Sequence, residues 1–351
     1  MSLSHPGARL RGRRTTRTTR AVLATLLAGS LLGLAACGAD DSADAADGKL
    51  TKIRIGYQLI PNGDLVVKHD KLLEKAFGDD VSIEWKQFAS GGDVNQAILA
   101  GSIDIGLAGS SPVARGLSSG VPYQVPFIFD VIGTAEALVA KPGIGSIADL
   151  AGKTVATPLA STSHYSLLAA LQDAGVDASD VKIIDSEPDA ILAAWKAGKI
   201  DAAYVWNPVL AELEKDGKVL VDSAQLAAKG TTTYDLAVVA TKFAKAHPDA
   251  VQTWTEQEDA AVKQLTSGDQ GAIDAIAAEL NITADEVEKQ TAGLIYVDAA
   301  TQAGADYLGG GLPDNLFATA QFNKTVGQIP AVEDQQAYRD AVVPRFAAAV
   351  K

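Results

Sequence analysis

The chain has 351 residues, 47% of them hydrophobic and 21% charged, a globular balance and length enough for two ordinary domains. Without the six Arg of residues 1–36, its 30 cationic side chains fall to 24 against 43 acidic ones, a net −19. That balance argues against a nucleic-acid binder, whose affinity rests on clustered cations. The single Cys leaves no disulfide framework and no Cys-based zinc site.

Residues 1–36 read as an export leader. Arg9, Arg11, Arg13, Arg14, Arg17 and Arg20 form a basic run, and the apolar stretch from Ala21 to Ala36 is too short to span a bilayer comfortably. It ends in Leu34-Ala35-Ala36-Cys37, which resembles the lipobox of bacterial lipoproteins, where the Cys is lipidated and becomes the first residue. The protein is therefore expected to be exported and held at the outer face of the cell membrane by a lipid on Cys37 alone. Arg13-Arg14 lack the apolar followers of a twin-arginine signal. Residues 37–50 are small and acidic and cannot pack, so they read as a tether.

Folded structure is expected from the alternating strand Lys52-Ile53-Arg54-Ile55-Gly56-Tyr57. A turn-rich loop, Gln58 to Asp64, precedes helical spacing over Leu65 to Phe77, and Val81 to Phe88 is a second strand. Ser90-Gly91-Gly92-Asp93 leads into the helical run from Val94 to Leu99, and Gly109-Ser110-Ser111-Pro112 follows a strand over Ile103 to Ala108. Pro112 suits a first helical turn, where its missing N–H costs nothing. Strands alternating with helices predict an α/β fold with mostly parallel pairing, in which ligands bind at the carboxyl ends of strands.

The densest small-polar turn is Ser161-Thr162-Ser163-His164 before the apolar run Leu167 to Leu171. Ser and Thr there are N-cap residues, and a strand-to-helix turn gathers free N–H groups and the positive end of the helix dipole. Such turns bind anions without Lys or Arg. An internal echo supports two similar lobes: Ala100-Gly101-Ser102-Ile103-Asp104 recurs as Ala197-Gly198-Lys199-Ile200-Asp201, the second followed by Tyr204-Val205-Trp206-Asn207-Pro208. Two apolar strands, each preceded by one acid, read as crossings between lobes: Glu136 before Ala137-Leu138-Val139, and Asp235 before Leu236-Ala237-Val238. If they are hinges, Glu136 and Asp235 lie at the cleft. From Phe243 onward helices are expected over Pro248–Ser267, Ala272–Leu280, Thr283–Ala292 and Val332–Ala349. The four His are scattered singly, and dinucleotide, phosphate-loop, zinc-protease and nucleophile-elbow motifs are missing. No catalytic residue, cofactor or metal is expected.

These residues resemble the taurine-binding receptors of bacterial ABC importers, and more widely the aliphatic-sulfonate and nitrate binding proteins. The resemblance runs from about Ile53 to about Ala331. It is most specific at Ser161-Thr162-Ser163-His164-Tyr165-Ser166-Leu167-Leu168, at Ala203-Tyr204-Val205-Trp206-Asn207-Pro208 and from Leu213 to Leu220. Tyr57-Gln58, Gly109-Ser110-Ser111-Pro112 and Glu136-Ala137-Leu138-Val139 match as well. It implies a two-lobed type II periplasmic binding protein, with residues 51–137 and 239–351 as one lobe and 138–238 as the other. It further implies a monomer that closes over taurine or a related sulfonate and serves a permease and its ATPase. A sulfonate offers three acceptor oxygens, which Ser110, Ser111, Thr162 and Ser163 would satisfy. Asp235 would take the ammonium, and Trp206 would line the two-carbon bridge. Gln58, Asn62, Glu136, His164 and Tyr165 complete the expected site. The match lapses at Asn62, where the family carries an acid, and at Asn207, where it carries a small residue. Nitrate or a thiamine-pyrimidine precursor is the alternative ligand. An enzyme of pyrimidine-precursor synthesis, using His164 and iron, is the alternative activity, though an exported lipoprotein has little use for it.

Overall fold

The computed structural model describes residues 49–351; the expected leader, Cys37 and the tether as far as Gly48 lie outside the described residues. The chain opens with β1 (Lys52–Tyr57), α1 (Gly63–His69), α2 (Leu72–Phe77), β2 (Ser82–Gln87), α3 (Gly91–Leu99), β3 (Ile105–Gly109), α4 (Ser110–Ser118), β4 (Tyr123–Gln124) and β5 (Ile128–Ile132). It then crosses to a second sheet through β6 (Glu136–Ala140), β7 (Thr154–Thr157), α5 (Thr162–Asp173), β8 (Lys182–Asp185), α6 (Pro188–Lys196), β9 (Ala202–Trp206), α7 (Val209–Glu214), β10 (Lys218–Asp222) and α8 (Ser223–Ala227). It returns to the first sheet as β11 (Tyr234–Ala240). Helices α9 (Thr241–Ala246), α10 (Pro248–Ser267), α11 (Gln270–Leu280) and α12 (Ala284–Thr291) follow, then β12 (Leu294–Ile295), α13 (Ala299–Gln302), α14 (Gly311–Thr325), α15 (Gln335–Ala341) and α16 (Arg345–Ala349).

The larger sheet runs β12-β5-β11-β3-β1-β2 with β4 also on β11, and the smaller runs β10-β6-β9-β7-β8. The protein is thus a two-lobed α/β fold. The pairing is mixed, which corrects the expectation of mostly parallel strands. In each sheet one β-α-β core is parallel, β2-β1-β3 and β8-β7-β9, and the remaining ladders are antiparallel. The reason is the route of the chain. The carboxyl ends of the parallel strands face the other lobe, so β6 and β11, which enter from that side, must run the opposite way. Leu138 and Val238 stand inside these two entering strands.

The echoed motif is structural. Gly101 and Gly198 both close a helix with φ near +65°, at 66° and 64°, where glycine carries no Cβ penalty. Asp104 accepts from the Arg54 N–H at 2.9 Å while its own N–H bonds the Arg54 carbonyl at 2.8 Å. Asp201 does the same to Thr154, at 2.8 and 2.9 Å. One device therefore pins the first strand to the third strand of the parallel core in both lobes.

Two expected helices are broken. The run from Leu65 to Phe77 is split at Lys71, whose left-handed φ of 54° turns the chain so that Leu73 reaches the core. The run from Val332 to Ala349 becomes α15 and α16. Pro344 disfavours helix in the residue before it, and Ala341 to Val343 instead pairs with Val125, at 2.8 and 3.0 Å. Trp254 anchors the larger core edge-on to Phe127 and Phe129, at 5.9 and 6.0 Å between centroids. Among the described residues no helix is long and apolar enough to cross a membrane.

Candidate ligand-binding site

A pocket opens where strand ends and helix heads of the two lobes meet. Gln58, Ile60 and Pro61 follow β1, Gly91 heads α3, Gly109 ends β3, and Pro112 stands in the first turn of α4. From the other lobe come Ser161 and Thr162 at the head of α5 and Trp206 and Asn207 after β9. Glu136 and Asp235 stand at the starts of the two entering strands, and Ile132, Ala135 and Leu294 complete the wall. Helix geometry leaves the first N–H groups of α3, α4 and α5 without main-chain acceptors, so three partial positive ends converge here.

The head of α5 is organised around Glu136. This buried carboxylate accepts hydrogen bonds from Thr162 Oγ1 at 2.5 Å, Ser163 Oγ at 2.9 Å, Ser166 Oγ at 3.4 Å and Ser223 Oγ at 2.8 Å. Burial pushes its pKa up, and the four hydroxyls pull against that. Each hydroxyl has one proton. Thr162 and Ser163 have therefore committed theirs to Glu136, and a ligand at this helix head meets N–H groups and oxygen lone pairs. Ser161 caps α5 by accepting from the His164 N–H at 3.1 Å.

Of the residues expected from sequence, Gln58, Glu136, Thr162, Trp206 and Asp235 line the pocket. The others stand behind it. Ser110 Oγ accepts from the Tyr234 N–H at 3.2 Å, and Ser111 Oγ accepts from Asn323 at 3.3 Å. Ser163 is fully buried on Glu136. His164 Nδ1 accepts from the Ala160 N–H at 3.3 Å, and burial, then the nearby Arg115 charge, push its pKa down to about 4. Its imidazole is thus neutral at physiological pH. Tyr165 packs edge-on against Phe322 of α14, 4.9 Å between centroids, which ties the two lobes together. Asn62 is completely buried, with neither amide atom bonded among the described residues. Among the described residues no group of three His, Cys, Asp or Glu could hold a metal ion.

Opposite the helix heads the site is acidic. Asp235 is 6% exposed, and burial, then the Glu136 charge, push its pKa up from the ordinary carboxylate range. Asp130, on β5 beside it, and Asp64, on α1, are buried and raised as well, in both cases chiefly by burial. Asp130 was missed in the sequence. Its signal was one acid inside the apolar run Phe127-Ile128-Phe129-Asp130-Val131-Ile132. Asn207 is a wall residue as well, and its Oδ1 accepts from the Ala211 N–H in the first turn of α7 at 3.1 Å.

The lobes touch across this pocket. Ser90 Oγ donates to Glu187 at 3.2 Å. A Cβ on Gly109 would lie 2.6 Å from Thr162 Cγ2, so the approach there requires glycine.

The family model described as NMT1/THI5 like matches residues 78–266. The chain is 35% identical over 308 residues to the taurine-binding periplasmic protein of Escherichia coli K12, covering 86% of this chain and 94% of that one. Among solved structures it is similar to the alkanesulfonate-binding protein SsuA of Xanthomonas axonopodis pv. citri bound to MOPS. The TM-score is 0.68 at 23% identity, over 85% of this chain and 98% of that one. The periplasmic nitrate-binding protein NrtA of Synechocystis PCC 6803 gives a TM-score of 0.67 at 14% identity, over 85% and 87%. These last two likenesses show the shared fold. With two lobes, a pocket between them and a family match over most of its folded length, this chain belongs to the NMT1/THI5-like family, with the periplasmic binding protein fold.

Proposed function

We propose that the protein is the substrate-binding component of an ABC importer and carries taurine or a related amino-alkanesulfonate to a permease and its ATPase. It acts as a non-catalytic carrier, exported and held at the outer face of the cell membrane by a lipid on Cys37. One observation carries the ligand assignment: the pocket joins three helix heads, which suit an anion, to a buried carboxyl, with no Lys or Arg in its wall among the described residues. A zwitterion of short span satisfies both ends. The 35% identity to a taurine-binding protein supports the same reading.

Calorimetry with taurine, ethanesulfonate and nitrate tests this. Taurine is expected to bind tightest. Asp235→Asn should weaken taurine by about ten- to a hundredfold, since a charge-assisted hydrogen bond contributes about 1.5–3 kcal/mol. Ethanesulfonate, which lacks the ammonium, should be nearly unaffected. Equal weakening of both would make Asp235 a structural residue, and nitrate binding tightest would overturn the sulfonate assignment.

Closure is tested separately. Gly109→Ala puts a methyl group against Thr162, which the Glu136 bond holds in place. Taurine affinity should fall by about tenfold or more, with a larger radius of gyration at saturating ligand and little change in the melting point of the empty protein. Unchanged affinity would mean that the bound state does not need this approach.

A further inference from the structure

We infer that Asp130 is a positioning residue of the ammonium subsite: it shares one proton with Asp235 in the empty pocket, and the ammonium of the ligand takes that proton's place. The inference rests on the amino-sulfonate reading above.

Asp130 and Asp235 are direct partners in the antiparallel ladder of β5 and β11. Directly opposed residues point to the same face with Cβ atoms about 5 Å apart. A register shift follows at once between Asp235 and Leu236, and such bulges re-aim side chains beside sites. Asp235 reaches the pocket wall, while Asp130 is fully buried behind it. Neither oxygen of Asp130 has a hydrogen-bond partner among the described residues. The Asn62 amide lies beside it, near enough to favour the charged form but outside hydrogen-bond geometry.

The groups around the pair explain why a proton is held there. Glu136 on β6 adds negative charge, and Asp64 on α1 adds more wherever it ionises. Beyond Asp64 stands Glu258 on α10, whose carboxyl is raised as well. Tyr296, after β12, spends its hydroxyl proton on the Pro61 carbonyl at 2.6 Å. The cation near Asp64, Lys68, is paired with Glu279 at 2.5 Å. Two carboxyls side by side in this setting cannot both ionise, so their titrations are coupled. Burial and the neighbouring charges raise both.

An ammonium entering the subsite adds the missing positive charge. The carboxyl pair then ionises fully, the proton leaves to solvent, and the ligand amine keeps all its own protons. Binding of an amine-bearing ligand therefore releases a proton, and its affinity rises with pH while the empty pair still holds one, by at most about tenfold per pH unit. A ligand without the amine releases none.

The test is calorimetry of the full folded protein in buffers of differing ionisation enthalpy. At pH 7, taurine should release close to one proton per molecule bound and ethanesulfonate close to none. Asp130→Asn supplies an amide N–H to Asp235 in place of the shared proton. It should abolish most of the release and flatten the pH dependence of taurine binding between pH 6 and 8. Taurine bound by the variant with undiminished release overturns the role of Asp130. Failure of the wild-type protein to bind taurine overturns the ligand reading instead. Carboxyl carbon NMR of the empty wild-type protein tests the pair itself. Asp130 and Asp235 should titrate together and well above the ordinary carboxylate range. Independent titration of both within that range overturns the inference, whatever the ligand.

Discussion

Replacing Glu136 by alanine is expected to cost the protein about 2–4 kcal/mol of stability, because it strands hydroxyls on two separate elements. Thr162, Ser163 and Ser166 on α5 and Ser223 on α8 all donate to this one carboxylate. Each buried hydroxyl left without an acceptor costs about 1–3 kcal/mol. Two effects hold the total below the sum. Ser166 can turn to the carbonyl four residues back, and removing a buried carboxyl returns part of its desolvation cost. Glu136→Gln keeps one acceptor oxygen and should lose roughly half as much. Thermal unfolding should register the alanine change as a fall of about 5–12 °C. A variant that loses taurine affinity with an unchanged melting point would make Glu136 a direct ligand contact, as the sequence suggested. A fall in both, larger in stability, is what the observed bonds require.

That distinction marks the limit of what the chain shows without its fold. The crossings were legible because each entering strand places its acid at its cleft end, Glu136 on β6 and Asp235 on β11. The Gly-turn echo was legible because a helix closed in the left-handed region followed by a strand carries a short, position-specific signature, at Gly101 and Gly198. The partners of the hydroxyls were not legible. Thr162 and Ser163 cap a helix whether they face a ligand or an acid, and Glu136 lies 26 residues before Thr162 in the chain. Asp130 was hidden for a similar reason, since its role depends on which residue of β11 stands opposite, and register is a long-range property. The break at Lys71 carries no Gly or Pro, so nothing local announces it. The helix Gly311–Thr325 was missed behind a run of three Gly and a Pro, which reads as loop, yet its Phe322 supplies an interlobe contact to Tyr165. Local chemistry thus pointed to residues that line the pocket, and tertiary pairing decided which groups face into it.

The empty protein should also become less stable as pH rises from 5 to 8, opposite to the usual acid-labile pattern. The cause is the buried pair Asp64 and Glu258, with no hydrogen-bond partner for any of their four carboxylate oxygens among the described residues. Burial raises both pKa values well above the ordinary range, and each carboxyl adds to the other's shift or stands next to further acids. The unfolded chain ionises these groups near pH 4, whereas the folded chain keeps them protonated to higher pH. Over that window the folded state binds more protons than the unfolded one, so stability falls with rising pH, by up to about 1.4 kcal/mol per unit for each group. Lowered carboxylates such as Asp149 and Asp177 are exposed, and they are ionised in both states above pH 5, so they add little to the slope in this window. Glu258→Gln replaces a group that must stay neutral with one that is always neutral. It should raise the melting point at pH 8 by several degrees, leave it nearly unchanged at pH 5, and flatten the slope between them. Lys68 is bonded to Glu279 rather than to Asp64, so its pull on Asp64 is smaller than the effect of burial. A wild-type melting point that holds or climbs from pH 5 to 8, with Glu258→Gln destabilising equally at both, would show that the two carboxyls are ionised in the fold and neutralised by water or an ion between them.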